Sequence, residues 1–183
     1  MSFKSGFATL IGNPNVGKSS LFNAILNFEL SVVTHKSQTT RDSIKGILNT
    51  DNFQIVLSDT PGHVESSYLL HDKMNKNIYS SLEGSDLILY VTDVKEKVVN
   101  QKLIDAVLKL QIPIIYLVNK SDLDKNYKLL KNDFYKDMFL VSSNDKNDID
   151  KILTTIVQNL PDHPAFYSKD ELTDKNERFI VSE

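Results

Sequence analysis

The residues at 12–19 read GNPNVGKS and fill every fixed position of the pattern G-x-x-x-x-G-K-[S/T], a phosphate-binding loop. Its two glycines let the main chain curl, so that consecutive N–H groups point inward at phosphate oxygens. Lys18 would bring a positive charge to the β- and γ-phosphates, and the hydroxyl group of Ser19 is suited to hold Mg²⁺. An apolar strand pattern at 7–11 precedes the loop and a helical pattern at 20–26 follows it, so the helix dipole would also favour an anion. These features predict that the chain binds a nucleoside polyphosphate.

A second polar motif, Asn119-Lys120-Ser121-Asp122, follows a continuous apolar run at 112–118 that is typical of a buried parallel strand. The Asp122 carboxylate can accept hydrogen bonds from the ring N1–H and the exocyclic amine of guanine, whereas adenine presents a lone pair at N1. An unpaired buried charge costs on the order of 1–3 kcal/mol, so this carboxylate would select guanine. Lys120 would lay its aliphatic stem across the base, and Asn119 would tie this loop to the phosphate loop. A polar loop with a helix N-cap is the simpler alternative, but the position of the motif favours guanine binding.

The chain between these motifs carries residues suited to Mg²⁺ and the γ-phosphate. Asp59 ends a strand pattern at 53–58 and is placed like a Walker-B aspartate. Gly62 would let the main-chain N–H approach the γ-phosphate closely. One of Thr39 and Thr40, in a polar loop upstream, would complete the Mg²⁺ shell, and Thr40 is favoured. The nucleotide contacts expected here are Thr39, Thr40, Asp59, Thr60, Pro61, Gly62 and His63.

A third polar group, at 142–144, follows a short strand pattern and could offer main-chain N–H groups to guanine O6. A strand-to-helix cap explains these residues about equally well. The base contacts are expected to be Asn119, Lys120, Asp122, Ser142, Ser143 and Asn144. The phosphate contacts are expected to be Gly12, Asn13, Pro14, Asn15, Val16, Gly17, Lys18, Ser19 and Ser20.

Strand and helix patterns alternate along the chain and predict one doubly wound α/β domain, with a mostly parallel sheet flanked by helices. The strands are expected at 7–11, 43–49, 53–58, 86–92 and 112–118. The helices are expected at 20–26, 68–82, 98–110 and 149–159. The turn at 50–52 would join two strands as a hairpin.

Composition restricts the class of protein. The chain has 183 residues, a net charge of −3 and no cysteine. Disulfides and thiol-ligated metals are therefore excluded, and the charge does not favour electrostatic binding of nucleic acid by the whole domain. No apolar stretch reaches the length of a signal peptide or a membrane span. We expect a soluble cytoplasmic protein of one domain.

The order and spacing of these motifs resemble the small GTPases related to translation factors, and most closely the Era family. The resemblance covers the whole chain. It is carried further by QTTR at 38–41, by LPDHPAFY at 160–167, by LTD at 172–174 and by ERF at 177–179. It implies that residues 1–160 form a GTPase domain with the phosphate-loop NTPase fold. The segment 161–183 would then be a linker, mobile by itself, toward an RNA-binding KH domain that this chain lacks.

The resemblance also implies a function. The chain would hydrolyse GTP to GDP and phosphate, with Mg²⁺ and K⁺ as cofactors, as a monomeric switch in assembly of the small ribosomal subunit. The implied partner is 16S rRNA, bound mainly by the absent KH domain, and a peripheral association with the inner face of the membrane is a further expectation. The alternative is a GTP-responsive binding module or adaptor with negligible turnover. A metabolic kinase is a distant third, because nothing suggests an acceptor pocket.

Two of the candidate site residues have competing interpretations. Asn15 resembles the family asparagine that binds K⁺ where an arginine finger would otherwise lie. In the alternative interpretation it only holds the turn of the loop. Arg41 is the other candidate for a positive charge near the phosphates. His63 follows Gly62 directly, whereas Era-like chains usually have a hydrophobic residue between them. It is therefore either a solvent-facing family histidine or a water-orienting group. The expected catalytic residues are Lys18, Thr40, Asp59, Gly62 and His63, and the metal ligands are Ser19 and Thr40 for Mg²⁺ and Asn15 for K⁺.

Overall fold

The computed structural model describes residues 2–30, 44–60, 82, 84–95, 101–124, 127 and 138–173, with main chain only at 101–103 and 106. The helix expected at 68–82 lies outside these residues apart from its last position. The same is true of several candidate site residues, which are Thr39, Thr40, Arg41, Pro61, Gly62 and His63.

The described strands and helices lie close to the positions that the sequence patterns predict. The strands are β1 (Lys4–Ile11), β2 (Ile44–Asn49), β3 (Phe53–Asp59), β4 (Leu87–Asp93), β5 (Ile114–Asn119) and β6 (Met138–Leu140). The helices are α1 (Lys18–Leu26), α2 (Gln101–Leu108) and α3 (Lys146–Asn159), and a 3₁₀ turn spans Ser121–Leu123. Helix α3 begins earlier than its apolar pattern indicates, because Asp145 caps it by accepting from the Asn147 N–H at 2.8 Å.

The described strands form one six-stranded sheet in the order β2-β3-β1-β4-β5-β6. Strand β2 is antiparallel to β3, and the other neighbouring pairs are parallel. The predicted doubly wound, mostly parallel sheet is thereby confirmed. Since β1, β3, β4 and β5 point the same way, the residues that follow them meet at one edge, where open α/β sheets bind ligands. We call this the carboxyl edge.

Apolar side chains cover both faces of the sheet and hold this edge in place. Leu10, Leu57 and Leu89 pack on one face against α1 and α3, in a cluster that also contains fully buried Phe22. On the other face, Tyr90 belongs to a second cluster with side chains of α2. Burial of a large apolar side chain stabilises the fold by about 1.5–3 kcal/mol, so the strands that carry the site are anchored on both sides.

The segment 161–173, called here the C-terminal strap, lies across strands β1, β3 and β2. Gln54, which is fully buried, accepts from the main-chain N–H groups of Phe166 and Tyr167 at 2.7 and 3.0 Å and donates to the Tyr167 carbonyl at 2.8 Å. The ring of Phe166 also lies 4.8 Å from the ring of Phe7. These residues therefore differ from the mobile linker that the sequence predicts, because a buried side chain of β3 pairs with their main chain.

Leu172 and Thr173 of the strap pair with the edge of the sheet. The Ile47 N–H of β2 donates to the Leu172 carbonyl at 2.8 Å, and Thr173 forms an antiparallel bridge with Gly46. The Thr173 hydroxyl also donates to the Lys45 carbonyl at 2.6 Å. Main-chain groups of β2 that face away from β3 are thus partly paired, which protects an exposed sheet edge.

Among the described residues, every helix is too short or too polar to cross a membrane. The expected peripheral association with a membrane stays a prediction.

Candidate nucleotide-binding site

The phosphate loop between β1 and α1 has a main-chain path that requires its glycines. Gly12 and Gly17 have φ angles of +149° and +94°, which side-chain-bearing residues rarely adopt. A Cβ atom on Gly12 would lie 2.0 Å from the Val91 carbonyl oxygen, and one on Gly17 would lie 2.3 Å from the Asn119 amide nitrogen. The loop is therefore packed tightly against the ends of β4 and β5.

Lys18 lies inside this loop although it carries a charge. The residue is 6% exposed, and its ammonium group donates to the carbonyl oxygens of Asn13 and Gly12 at 2.9 and 3.3 Å. Helix α1 begins at Lys18, and its N-cap residue Gly17 provides no side chain to cap it. The loop thus combines a buried cation with the positive end of a helix dipole, which is the arrangement that favours a bound phosphate.

Ser19 and Asp59 meet beside the loop. The Ser19 hydroxyl donates to the Asp59 carboxylate at 2.7 Å, and Asp59 is fully buried at the end of β3. The next residue, Thr60, donates from its hydroxyl to the Leu10 carbonyl at 2.6 Å and so fixes the end of β3 against β1. A hydroxyl and a carboxylate offer only oxygen atoms, the ligand type that Mg²⁺ prefers. The pair therefore fits the magnesium site expected from the sequence.

Asn119, at the end of β5, joins the phosphate loop to the loop expected to bind the base. Its side-chain amide donates to the Val16 carbonyl at 3.0 Å, while its amide oxygen accepts from the Ser143 N–H at 3.2 Å. The contact between Asn119 and the phosphate loop is confirmed. Both partners are main-chain groups, so one buried amide fixes the relative positions of three loops.

Lys120 follows in the left-handed conformation, with a φ angle of +64°. Its ammonium group donates to the Asn15 carbonyl of the phosphate loop and to the Asp93 carboxylate at the end of β4, 2.7 Å away. The lysine side chain therefore bridges the phosphate loop and the end of β4.

Asp122 and Ser142 are brought together by the 3₁₀ turn and the loop after β6. The Ser142 hydroxyl donates to the Asp122 carboxylate at 2.7 Å, and the Ser142 N–H donates to the Asp148 carboxylate at 3.0 Å. The Asn144 N–H donates to the Ser142 hydroxyl at 3.2 Å. One oxygen of Asp122 is thus held by a neighbouring hydroxyl, which fixes the orientation of the group expected to recognise guanine.

Of the candidate residues that the structure describes, those of the phosphate loop, Asp59, Thr60, the N-K-x-D motif and the loop at 142–144 all lie along the carboxyl edge. Two residues missed by sequence reasoning also contribute. Asp93 pairs with Lys120, and Asp148 holds the loop of Ser142. Asp93 could have been found, because it directly follows a buried strand of the parallel sheet. Asp148 carried no such signal, since its sequence suggests only an exposed helix start.

A strand, a glycine-dependent loop and a helix, with a second polar loop tied to them by a buried amide, define a phosphate-loop nucleotide-binding domain of the doubly wound α/β type. Residues 7–120 match the protein family described as 50S ribosome-binding GTPase. The chain belongs to this family.

Individual relatives make the comparison more specific. GTPase Era of Clostridium tetani is 37% identical over 191 residues, in an alignment that covers 99% of this chain and 65% of that protein. GTPase Era of Clostridium kluyveri is 38% identical, with coverage of 98% and 64%. The chain therefore spans less than two thirds of the length of these curated relatives.

A solved structure extends the similarity to the whole described fold. A crystal structure of Era in complex with MgGDPNP and nucleotides 1506–1542 of 16S ribosomal RNA superposes with a TM-score of 0.86 at 28% identity. The superposition covers 98% of this chain and 64% of that one. The resemblance to the Era family inferred from the motifs is confirmed.

Proposed function

We propose that this chain binds GTP and GDP and hydrolyses GTP as a molecular switch. The observation that carries the proposal is the bond between Asn119 and Val16, since it joins a phosphate-binding loop to a guanine-selective motif in one rigid edge. A nucleotide whose phosphates lie on the loop would have its base beside Asp122. Recognition of both ends of the nucleotide would then depend on geometry that exists before binding.

Selection of guanine would come from Asp122. Its carboxylate can accept from two donors on guanine, and the Ser142 hydroxyl already holds one of its oxygens in place. Adenine presents no matching pair of donors, so its binding would leave a desolvated charge without a partner, at a cost of about 1–3 kcal/mol. The main-chain N–H groups at 142–144 would donate hydrogen bonds to guanine O6.

The phosphate end would depend on Lys18 and the N–H groups of the loop. In this structure the Lys18 ammonium group donates to loop carbonyl oxygens, and a bound nucleotide would offer it the β- and γ-phosphate oxygens. Ser19 and Asp59 would hold Mg²⁺, which when bound neutralises charge on the phosphate oxygens. Three further residues remain proposed participants. Thr40 would complete the metal shell, Gly62 would approach the γ-phosphate, and His63 would orient water.

The role of potassium depends on Asn15. This residue has a φ angle of +65°, and its carbonyl accepts from Lys120, so its main chain is held at the tip of the loop. The side chain would then be available to help hold K⁺ near the phosphates, which supports hydrolysis without an arginine. GTP turnover in KCl, compared with NaCl at equal ionic strength and with ATP as control, tests this role. Equal GTP turnover in both salts would exclude it.

A role in assembly of the small ribosomal subunit is proposed from the relatives. The Era chain in the crystal structure above contacts 16S ribosomal RNA and is longer than this chain. We propose that this chain acts on the same type of partner, with the nucleotide state controlling the association. Sedimentation with small subunits, in the presence of GDP or of a non-hydrolysable GTP analogue, would measure this association in each nucleotide state. Equal sedimentation in both states would contradict the switch.

The decisive experiment compares wild type with Asp122→Asn for binding and turnover of GTP and XTP. Xanthine carries a carbonyl group where guanine has its amine, so an asparagine donor should restore the pair. We expect the wild type to prefer GTP and the variant to prefer XTP. Unchanged preference in the variant would contradict guanine recognition by Asp122. Tight GTP binding without turnover, even in KCl, would instead favour an adaptor that responds to GTP.

A further inference from the structure

Asp93 and Lys120 form an ion pair at the carboxyl edge. The N-K-x-D motif, which contains Lys120, does not explain why an aspartate lies at position 93. We propose that Asp93 is a positioning residue for guanine: it holds the lysine ammonium group so that the aliphatic stem forms a preordered surface for the purine ring. The inference rests on the proposed function, because it requires a guanine nucleotide beside Lys120.

The ammonium group of Lys120 is held from two sides. The Asp93 carboxylate accepts from it at 2.7 Å, and the Asn15 carbonyl of the phosphate loop also accepts from it. The side chains of Lys120 and Asp93 are 29% and 12% exposed, so the pair is partly shielded from water. An ammonium group has three donors, and two of them are used within the protein. The direction of the stem is therefore set before any ligand binds.

The carboxylate is itself fixed by the end of strand β4. Its second oxygen accepts from the Lys95 N–H at 2.9 Å, which closes a tight turn after the strand. Asp93 also pairs with Asn119 in the parallel register of β4 and β5, and the Val94 N–H donates to the Asn119 carbonyl at 3.2 Å. The position of the negative charge is thus determined by β4 and by its pairing with β5, the strand that ends in the N-K-x-D motif.

This arrangement matters because lysine has a long, flexible side chain. A free lysine stem must lose rotamer freedom when it packs on a base, and that loss weakens binding. With the ammonium group anchored, most of the loss has already occurred during folding. Removal of Asp93 would leave the stem more mobile, even though the Asn15 carbonyl remains. Affinity for guanine nucleotides would then fall while every group that touches the nucleotide is still present.

The test is a double-mutant cycle on GDP affinity, measured by calorimetry or with a fluorescent GDP analogue. Asp93→Asn keeps the shape of the side chain and removes its charge, and we expect GDP affinity to fall about tenfold, equivalent to about 1.4 kcal/mol. In a Lys120→Ala background, the same substitution should change affinity less than about twofold, because Asp93 acts only through Lys120. The matched control is Asp51→Asn, which breaks the exposed ion pair with Lys169 at the opposite end of the strands and should leave GDP affinity unchanged.

The outcomes separate this inference from the proposed function. An equal loss of affinity in both backgrounds would mean that Asp93 acts through the fold, and it would overturn the inference. A wild-type chain that binds no guanine nucleotide would overturn both proposals. If Asp93→Asn lowers the melting temperature, Asp93→Ser provides a second variant. Its hydroxyl can still accept from the Lys95 N–H but is too short to reach Lys120, so unchanged GDP affinity in that variant would also contradict the inference.

Discussion

The side-chain amide of Asn119 donates to the main-chain carbonyl of Val16 at 3.0 Å, although the two residues lie 103 positions apart in the sequence. Asn119 is 1% exposed, and its amide oxygen accepts from the Ser143 N–H. The bond to Val16 is buried and the bond from Ser143 is partly buried. The phosphate loop and the base loop therefore behave as one unit.

Replacing Asn119 should weaken both folding and nucleotide binding. Asn119→Ala removes the partner of the buried Val16 carbonyl and of the partly buried Ser143 N–H, and an unpaired buried group costs about 1–3 kcal/mol. We expect the free energy of unfolding to fall by about 2 kcal/mol or more in urea titrations, with a loss of GDP affinity of at least about tenfold.

Asn119→Asp is the matched control for this prediction. An aspartate keeps an acceptor for the Ser143 N–H but cannot donate to the Val16 carbonyl, so it should fail to restore the link between the loops. Full GDP affinity in Asn119→Asp would show that the bond to Val16 is dispensable.

Gly12 should not tolerate a side chain. A Cβ atom at this position would lie 2.0 Å from the Val91 carbonyl, and the φ angle of +149° excludes most other residues. We expect Gly12→Ala to lower the free energy of unfolding by about 2 kcal/mol or more, the range typical of steric strain in a core.

Gly84 offers the matched control for Gly12. A Cβ atom on Gly84 would meet no other atom within 4 Å, so Gly84→Ala should change stability by less than about 0.5 kcal/mol. Equal melting temperatures for the two alanine variants would contradict the tight packing of the phosphate loop.

The doubly wound sheet and the contact between Asn119 and the phosphate loop could be predicted from the sequence, whereas the packing of the strap could not, and the reason is physical. The phosphate loop and the N-K-x-D motif are local patterns whose spacing follows from their chemistry. Strand β1 begins at Lys4, earlier than expected, because Lys4 and Ser5 pair with Phe53 and Gln54 of β3. The strap is held by a side chain more than a hundred positions away, which no local pattern reveals.

The strap should contribute to stability through Gln54. Gln54→Leu would leave two N–H groups and one carbonyl of the strap without their partner. Because these groups can partly regain water at the surface, we expect a loss of about 1–3 kcal/mol in the free energy of unfolding. Proteolysis should also cut the strap faster in this variant, since its main chain is less protected.

Gln158→Leu controls for the change in side-chain polarity. Gln158 is exposed on α3, so its replacement should leave both unfolding and proteolysis close to wild type. A strap that is cut equally fast in wild type and Gln54→Leu would mean that Gln54 does not hold it.

The start of the strap should respond to acid through Asp162. A hydrogen bond from the Ser2 side chain, and then the charge of Lys4, lower the pKa of the Asp162 carboxyl from its ordinary value of 3.8. A lowered folded-state pKa means that the ionised carboxylate stabilises the fold above the unfolded-state pKa, and that this stabilisation is lost as the pH falls through the folded-state pKa. Melting curves of wild type and Asp162→Asn should therefore differ at pH 6 and converge as the pH is lowered below about 3.8. Because Asp162 is exposed, the difference at pH 6 should be small and should shrink in high salt. A difference that persists unchanged into acid would show that the asparagine acts on packing and not through the charge of Asp162.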